Sequence, residues 1–233
     1  AWVRLAKPWD QARNPWRLVE TVRERGGVVS LVFEPLRKSL GRWMPGQFAW
    51  LTLQNSPFGL REHPFTISSA PEQGPRITMS IKPLGDFTER ATTTDPGAIA
   101  YIDGPYGAFS IDRHKDAEGF VMIAGGGGIT PMMANLRAML ARGDHRPVVL
   151  LYANPSLDDV AFHDELREMT GTLALEVVHI LEEPPEDWRG EAGFIDGSVL
   201  ERHLGPDTRD HQHFLCGPPQ MTKKVRAHLL DLG

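Results

Sequence analysis

From Pro15 to about Ser110 the chain is built of short apolar, β-prone runs separated by Gly and Pro. Arg17 to Arg23 alternates partially with period two. Gly26-Gly27 then supplies a tight turn into Val28-Val29-Ser30-Leu31-Val32-Phe33. Gln47 to Leu53, Pro64 to Ser68, Ile77 to Ile81 and Ala98 to Ile102 have the same texture. Strands this short and this regularly punctuated predict a small antiparallel barrel or sandwich.

After Gly119 the period changes. Phe120 to Ile123 and Val148 to Tyr152 read as buried strands, with a helix over Met132 to Ala141 between them. A second helix is expected from Ser156, capped with Asp159, burying Phe162, Leu166 and Met169. Leu173 to Ile180, a helix near Gly197 to His203, Phe214-Leu215 and a final helix continue the alternation. This order predicts an α/β Rossmann-like parallel sheet with helices on both faces. The charged stretch Asp112 to Glu118 separates the two textures, giving a linker over 1–14, a β-barrel over 15–112 and an α/β unit over 117–233. No internal repeat or low-complexity tract is seen.

Composition narrows the picture. The 233 residues are 41% hydrophobic, enough for two cores, with a formal charge of -5. That charge provides no field for nucleic acid. One cysteine excludes an intrachain disulfide framework and any four-cysteine metal site within this chain. No run approaches the length of a membrane span and no signal-peptide pattern is present, so the expected location is cytoplasmic. The chain starts at Ala1 without methionine and stops at Gly233 directly after a helical pattern. It therefore reads as part of something longer, truncated at its C-terminus.

Five motifs carry the chemistry. Ala124-Gly125-Gly126-Gly127-Gly128-Ile129-Thr130-Pro131 follows a strand and opens a helix. Glycines let backbone approach a pyrophosphate, and the helix start offers free N–H groups and a partial positive charge. Lys82-Pro83-Leu84-Gly85-Asp86-Phe87-Thr88 suits a phosphate in the same way, although an ordinary strand-to-helix connection would look alike. His63-Pro64-Phe65-Thr66-Ile67-Ser68-Ser69 sends Thr66 and Ser68 to one face and Phe65 and Ile67 to the other, so hydroxyls could meet a polar-edged ring or simply solvent. Asp103-Gly104-Pro105-Tyr106-Gly107 reads as a turn, and Phe214-Leu215-Cys216-Gly217-Pro218 closes the last strand. His145, His163, His179, His211 and His213 lack ligand spacing, and no metal site is expected.

The ordered set resembles the ferredoxin-NADP reductase superfamily over about Pro15 to Gly233. His63-Pro64-Phe65-Thr66, in place of the superfamily's Arg-x-Tyr-Ser, and the Gly85-to-Thr88 step resemble the dehydrogenase domain of NADPH oxidases and ferric reductases. The resemblance implies an FAD-binding Greek-key barrel followed by an NAD(P)H domain. It puts Thr66 near flavin N5, Phe65 beside the ring or ribityl chain and His63 near the phosphates, with Pro64, Ser68 and Ser69 completing that motif. Lys82, Gly85 and Thr88, flanked by Ile81 and Phe87, would hold the FAD pyrophosphate. Gly125, Gly126, Gly128, Thr130 and Pro131 would hold the nicotinamide nucleotide's pyrophosphate. Cys216, Gly217 and Pro218 would shape the nicotinamide pocket, with Thr66 and Cys216 on the hydride path.

Many relatives place a basic residue after the second Rossmann strand to pair with the 2'-phosphate of NADPH. Here that stretch is Tyr152-Ala153-Asn154-Pro155, with Tyr152 and Asn154 expected to contact the nucleotide. Either Lys223, Lys224 and Arg226 substitute, or NADH is accepted. The expected activity is hydride transfer from NAD(P)H to FAD and single electrons onward to haem of a membrane domain, for reduction of oxygen or ferric iron. A basic, tryptophan-containing segment, Arg4 to Trp16, is compatible with a membrane-side linker or a plain arm. The alternatives are a soluble reductase serving an oxygenase, a ferredoxin or free flavin, and a non-catalytic redox-sensing module that binds dinucleotide.

Overall fold

The structure, a computed structural model, describes residues 6–53, 56–58 and 62–231. After helix α1 (Lys7–Arg13) come β1 (Trp16–Arg23), β2 (Val29–Pro35), β3 (Phe48–Leu53), β4 (His63–Thr66), β5 (Ile77–Ile81), α2 (Asp86–Thr92) and β6 (Ile99–Tyr106). The strands form one antiparallel sheet in the order β4-β3-β6-β1-β2-β5. An Ile67–Met79 bridge joins the two edges and closes the barrel. Period-two alternation turns Leu18, Leu31, Phe33, Leu51, Ile67 and Met79 inward, all fully buried. Each such side chain contributes about 1.5–3 kcal/mol of burial.

The second unit contains β7 (Phe120–Gly125), α3 (Ile129–Arg142), β8 (Val148–Asn154), α4 (His163–Thr170), β9 (Leu175–Leu181), β10 (Glu191–Ala192), α5 (Gly197–His203), β11 (Gln212–Cys216) and α6 (Pro219–Asp231). The parallel sheet runs β10-β9-β8-β7-β11. Every residue of β7 is buried, as a central strand covered on both faces requires. Phe120 and Met122 pack toward Met132 and Met139 of α3, while Val121 and Ile123 pack toward Val199 and Val225 of α5 and α6.

Four expectations change. Residues 7–13 of the expected linker are a helix, docked by Lys7 Nζ to Glu62 (2.9 Å) and Asp103 (2.8 Å). Asp103 to Tyr106 is the end of β6 rather than a turn, because Phe48 and Trp50 of β3 keep it paired. There Gly104 packs on Ala49, where a Cβ would stand 2.7 Å from the alanine's own. Ser156 does not start a helix. Its Oγ bonds Asp159 Oδ2 (2.9 Å) in a short turn, and α4 begins at His163 after Phe162 adopts a left-handed φ of 59°. Buried Phe162, with the Arg137 guanidinium 5.2 Å over its ring, offsets a strain of about 1 kcal/mol. Finally β10, two residues at the sheet edge, has no sequence pattern of its own.

The two units meet along α3. Arg137 donates to Ser68 O of the barrel (2.7 Å) while forking onto Glu165 at 2.7 and 2.6 Å. Arg142 reaches Glu72 (2.6 Å) and Asp112. Buried Asn135 accepts from Ile111 N (2.9 Å) and donates to Pro131 O (2.7 Å).

Candidate cofactor site

In an open parallel sheet, ligands bind beyond the carboxyl ends of the strands where strand order reverses. Here β7 leads through α3 to β8 on one side, whereas β11 returns to its other side. The crevice so defined lies at Gly125 and Cys216. Those ends are held by glycine. A Cβ at Gly128 would overlap the Cys216 carbonyl, one at Gly217 would stand 3.0 Å from Gly125 N, and one at Gly125 would stand 2.9 Å from Pro218 Cδ. The loops after β7 and β11 thus lie back to back.

Gly126 (φ 49°) and Gly127 instead face open space. Their backbone is reachable by a ligand, which fits a pyrophosphate at the start of the 14-residue helix α3. Thr130 Oγ1 donates to Gly127 O (3.1 Å) and steadies the loop; Pro131, buried in the first turn, has no N–H to leave unpaired. Cys216 is half-buried, and burial pushes its thiol up, keeping it neutral. That suits a positioning group rather than a nucleophile.

On the barrel side, alternation along β4 puts His63 and Phe65 together against Phe87 of α2. The His63 and Phe87 rings stack at 3.9 Å and those of Phe65 and Phe87 at 5.9 Å. Pro64 and Thr66 take the other face; Pro64 is exposed and Thr66 partly so. Gly85 is open to solvent. Thr88 Oγ1 accepts from Leu84 N (2.8 Å) and Gly85 N (3.0 Å), so its hydroxyl shapes the 84–88 turn rather than standing free. Ile81 lies in the barrel core. Lys82 Nζ reaches across the seam to Asp159 Oδ1 (3.4 Å).

Four expected ligand side chains turn inward. Ser68 is fully buried; its Oγ meets Ser80 Oγ (2.8 Å), which meets Ser30 Oγ (2.8 Å), which donates to Glu24 (2.8 Å). Ser69 Oγ is taken by Thr78 N (3.0 Å). The chain leaves the strand pattern after Thr66, so the alternation expected through Ser68 stops short. Tyr152 is fully buried because β8 is central and Val160 to Phe162 close over it. Its Oη lies near the Asn154 amide and the Ala161 backbone without an ordinary hydrogen bond, and burial pushes the phenol far up. Asn154 is equally buried.

Beside Tyr152, His179 of β9 lies 6.1 Å away ring to ring and 5.6 Å from His163. Burial, then the neighbouring His163, lowers its pKa to about 4. The fold therefore binds this proton less readily than the unfolded chain, and stability should fall as pH drops from about 6.5 toward 4. We expect a loss of about 1–2 kcal/mol over that window, less than the full shift because the ring keeps an exposed edge. Melting curves at pH 7 and 4.5 should converge for wild type and His179→Gln if the ring is responsible, and keep a constant gap if not.

Asn135 and Arg137 were not singled out in the sequence, yet Asn135 ties α3 to Ile111 and Arg137 ties it to Ser68, two residues beyond Thr66. The signal was an asparagine within the apolar stripe Met132, Leu136, Met139.

The family model described as FAD-binding domain matches residues 18–110, and that described as Oxidoreductase NAD-binding domain matches 122–227. The solved cytochrome b5 reductase domain of Ulva prolifera nitrate reductase superposes with a TM-score of 0.81 at 25% identity, covering 94% of this chain and 92% of that one. The chain belongs to the ferredoxin-NADP reductase superfamily. It carries the FAD-binding barrel and the NAD-binding α/β domain of that fold. NADH–cytochrome b5 reductase 1 of Arabidopsis thaliana is 33% identical over 175 residues, 73% of this chain and 62% of that protein. NADH-cytochrome b5 reductase 1 of Debaryomyces hansenii is 34% identical over 152 residues, 64% and 53%. The chain thus spans between half and two thirds of these curated relatives. The FAD/NAD-binding domain of Vibrio cholerae nitric oxide dioxygenase shares the fold, with a TM-score of 0.80 at 22% identity and 94% and 93% coverage.

Proposed function

We propose that this chain is an NADH-dependent flavoprotein reductase that delivers single electrons to a haem protein. The observation that carries the reading is the pairing of an open glycine loop at the β7–β11 crevice with β4, which presents His63 and Phe65 on one face and Thr66 on the other, joined through α3. FAD, when bound, accepts a hydride and parts with its electrons singly, and that chemistry belongs to the cofactor. The protein's work is placement. The 126–128 loop receives phosphate through backbone N–H groups. Cys216 and Gly217 bound the nicotinamide pocket with a neutral, compact surface. Thr66 would offer a hydroxyl to the flavin, and α3 fixes the two halves against each other so that the bound donor and acceptor would be held for transfer.

The choice of NADH rests on charge. Asp158 and Asp159 follow β8, and Glu182 and Glu183 are tied to it through Glu182 N to Asn154 O (3.1 Å) and Glu183 N to Pro155 O (2.8 Å). Four carboxylates around the end of β8 oppose a 2'-phosphate, and nearby Lys82 is already paired with Asp159. The curated relatives named above are NADH enzymes whose names specify cytochrome b5, a haem protein.

A second reading, haem of a membrane domain reducing oxygen or ferric iron, draws on the His63-Pro64-Phe65-Thr66 sequence, whose histidine stacks on Phe87. The parent open reading frame separates the two readings: histidine-bearing transmembrane helices upstream select the second. In stopped-flow mixing of the FAD-loaded chain, NADH should bleach the flavin at least tenfold faster than NADPH. Thr66→Ala should slow the bleaching. Absence of bleaching with either nucleotide overturns the dehydrogenase reading, and equal rates overturn the charge argument.

A further inference from the structure

On the barrel, α1, the start of β1, the segment joining β2 to β3 and Phe58, between β3 and β4, form one exposed face. Three large apolar side chains stand out from it: Trp9 (57% exposed), Phe58 (51%) and Leu36 (40%). Trp9 and Phe58 come from separate elements and meet edge to face at 5.5 Å, so each holds the other outward. Leu36 N bonds Pro15 O (3.0 Å), which seats the 36–42 segment beside the end of α1. A cleft lined by Asp10, Asn14, Lys38 and Leu40 makes the two segments continuous.

The charge around these side chains is mostly positive. Arg13, Arg37, Lys38 and Arg42 are exposed and have no carboxylate partner among the described residues. Arg17 and Arg76 share the single carboxylate of Glu34. Lys7 is neutralised by Glu62 and Asp103, and Asp10 accepts from Asn14. Asp10 is an exposed acid beside Trp9, but the cations outnumber it, so the face is positive overall on a chain whose net charge is -5. Aromatic side chains ringed by unpaired cations suit the boundary between anionic headgroups and acyl chains, where Trp seats at headgroup level and cations meet phosphate.

We propose that this face docks the chain peripherally on an anionic lipid surface, with Trp9 and Phe58 entering the headgroup layer and Arg13, Arg37, Lys38 and Arg42 meeting lipid phosphates. The inference is independent of the nucleotide and acceptor readings, since none of these residues is assigned to the cofactor site.

The test is co-sedimentation of the FAD-loaded chain with vesicles of phosphatidylcholine alone or with about 30% phosphatidylserine. Binding should require phosphatidylserine and weaken several-fold between low and physiological salt. Arg37→Glu/Lys38→Glu/Arg42→Glu and, separately, Trp9→Ser/Phe58→Ser should each lower binding at least tenfold, with unchanged flavin absorbance and NADH-driven bleaching showing intact folds. No sedimentation with anionic vesicles overturns the proposal, as does binding that ignores both variants. If the charge-reversal variant instead loses turnover with a soluble acidic haem protein while vesicle binding is unchanged, the face docks a protein and the lipid assignment fails.

Discussion

Gly128→Ala is expected to lower the melting temperature by about 6–12 °C and to slow NADH-driven flavin reduction by about a hundredfold. The added methyl would enter the Cys216 carbonyl, and Gly217 N lies just behind at 2.9 Å. Both obstacles are backbone, so no rotamer change relieves the overlap. Either the start of α3 or the end of β11 must move. Overpacking of this kind costs about 3 kcal/mol, which in a chain of this size gives the stated shift. The kinetic loss has a separate cause, because the same contact sets the spacing between the phosphate loop and the nicotinamide pocket. A displacement of about 1 Å there forfeits about two orders of magnitude in rate. Gly127→Ala is the matched control: it has open space before it and no positive φ. It should melt as wild type while weakening NADH affinity, since its methyl would cover backbone that a phosphate needs. Scanning calorimetry and stopped-flow reduction on both variants check the pair; wild-type values for Gly128→Ala would remove the back-to-back contact from the account.

This contrast also shows what the sequence could convey. The run of four glycines announced a phosphate loop, but its members do different jobs. Gly125 and Gly128 exist for close approach to the 216–218 segment, and Gly126 and Gly127 for an open backbone. Nothing local distinguishes them, because the deciding neighbour lies some ninety residues away. Barrel strands were legible as short apolar runs bounded by Gly and Pro, although alternation is broken in β2, where Val29, Ser30 and Leu31 are all buried, and β7 because a doubly covered strand is apolar throughout. The helix expected from Ser156 failed for a local reason. An aspartate in the third capping position is a methylene shorter than glutamate, and Asp159 turns to Ser156 Oγ and Lys82 instead. Tyr152 and Asn154 were assigned to a ligand by position after a strand, whereas facing direction is what counts. Both turn under Val160 to Phe162.

The seam between the units yields the second large effect. Asn135→Ala should cost about 2–4 kcal/mol and make the two units melt less cooperatively. The Asn135 amide is fully buried, receives Ile111 N at the end of the barrel and bonds Pro131 O in the first turn of α3. Truncation leaves a buried N–H without a partner, which alone costs about 1–3 kcal/mol. The remainder comes from the space vacated beside Gly46, whose backbone packs so closely that a Cβ there would stand 2.7 Å from Asn135 Nδ2. Other ties across the seam include the ion pairs Lys82 to Asp159 and Arg142 to Glu72, both with exposed edges, the Arg137 bond to Ser68 O, and the packing of Val28 into the α/β core. Exposed pairs of this type contribute about 0–1 kcal/mol each and weaken in salt. Asn135 is therefore a polar tie of the seam that salt does not screen. Removing it should let flavin fluorescence, reporting on the barrel, and far-ultraviolet dichroism, dominated by the helices of the α/β unit, melt at different temperatures, with the separation widening as salt is raised. Coincident transitions in the variant at high salt would mean that neither this amide nor the ion pairs couple the two units, and that apolar packing at the seam does.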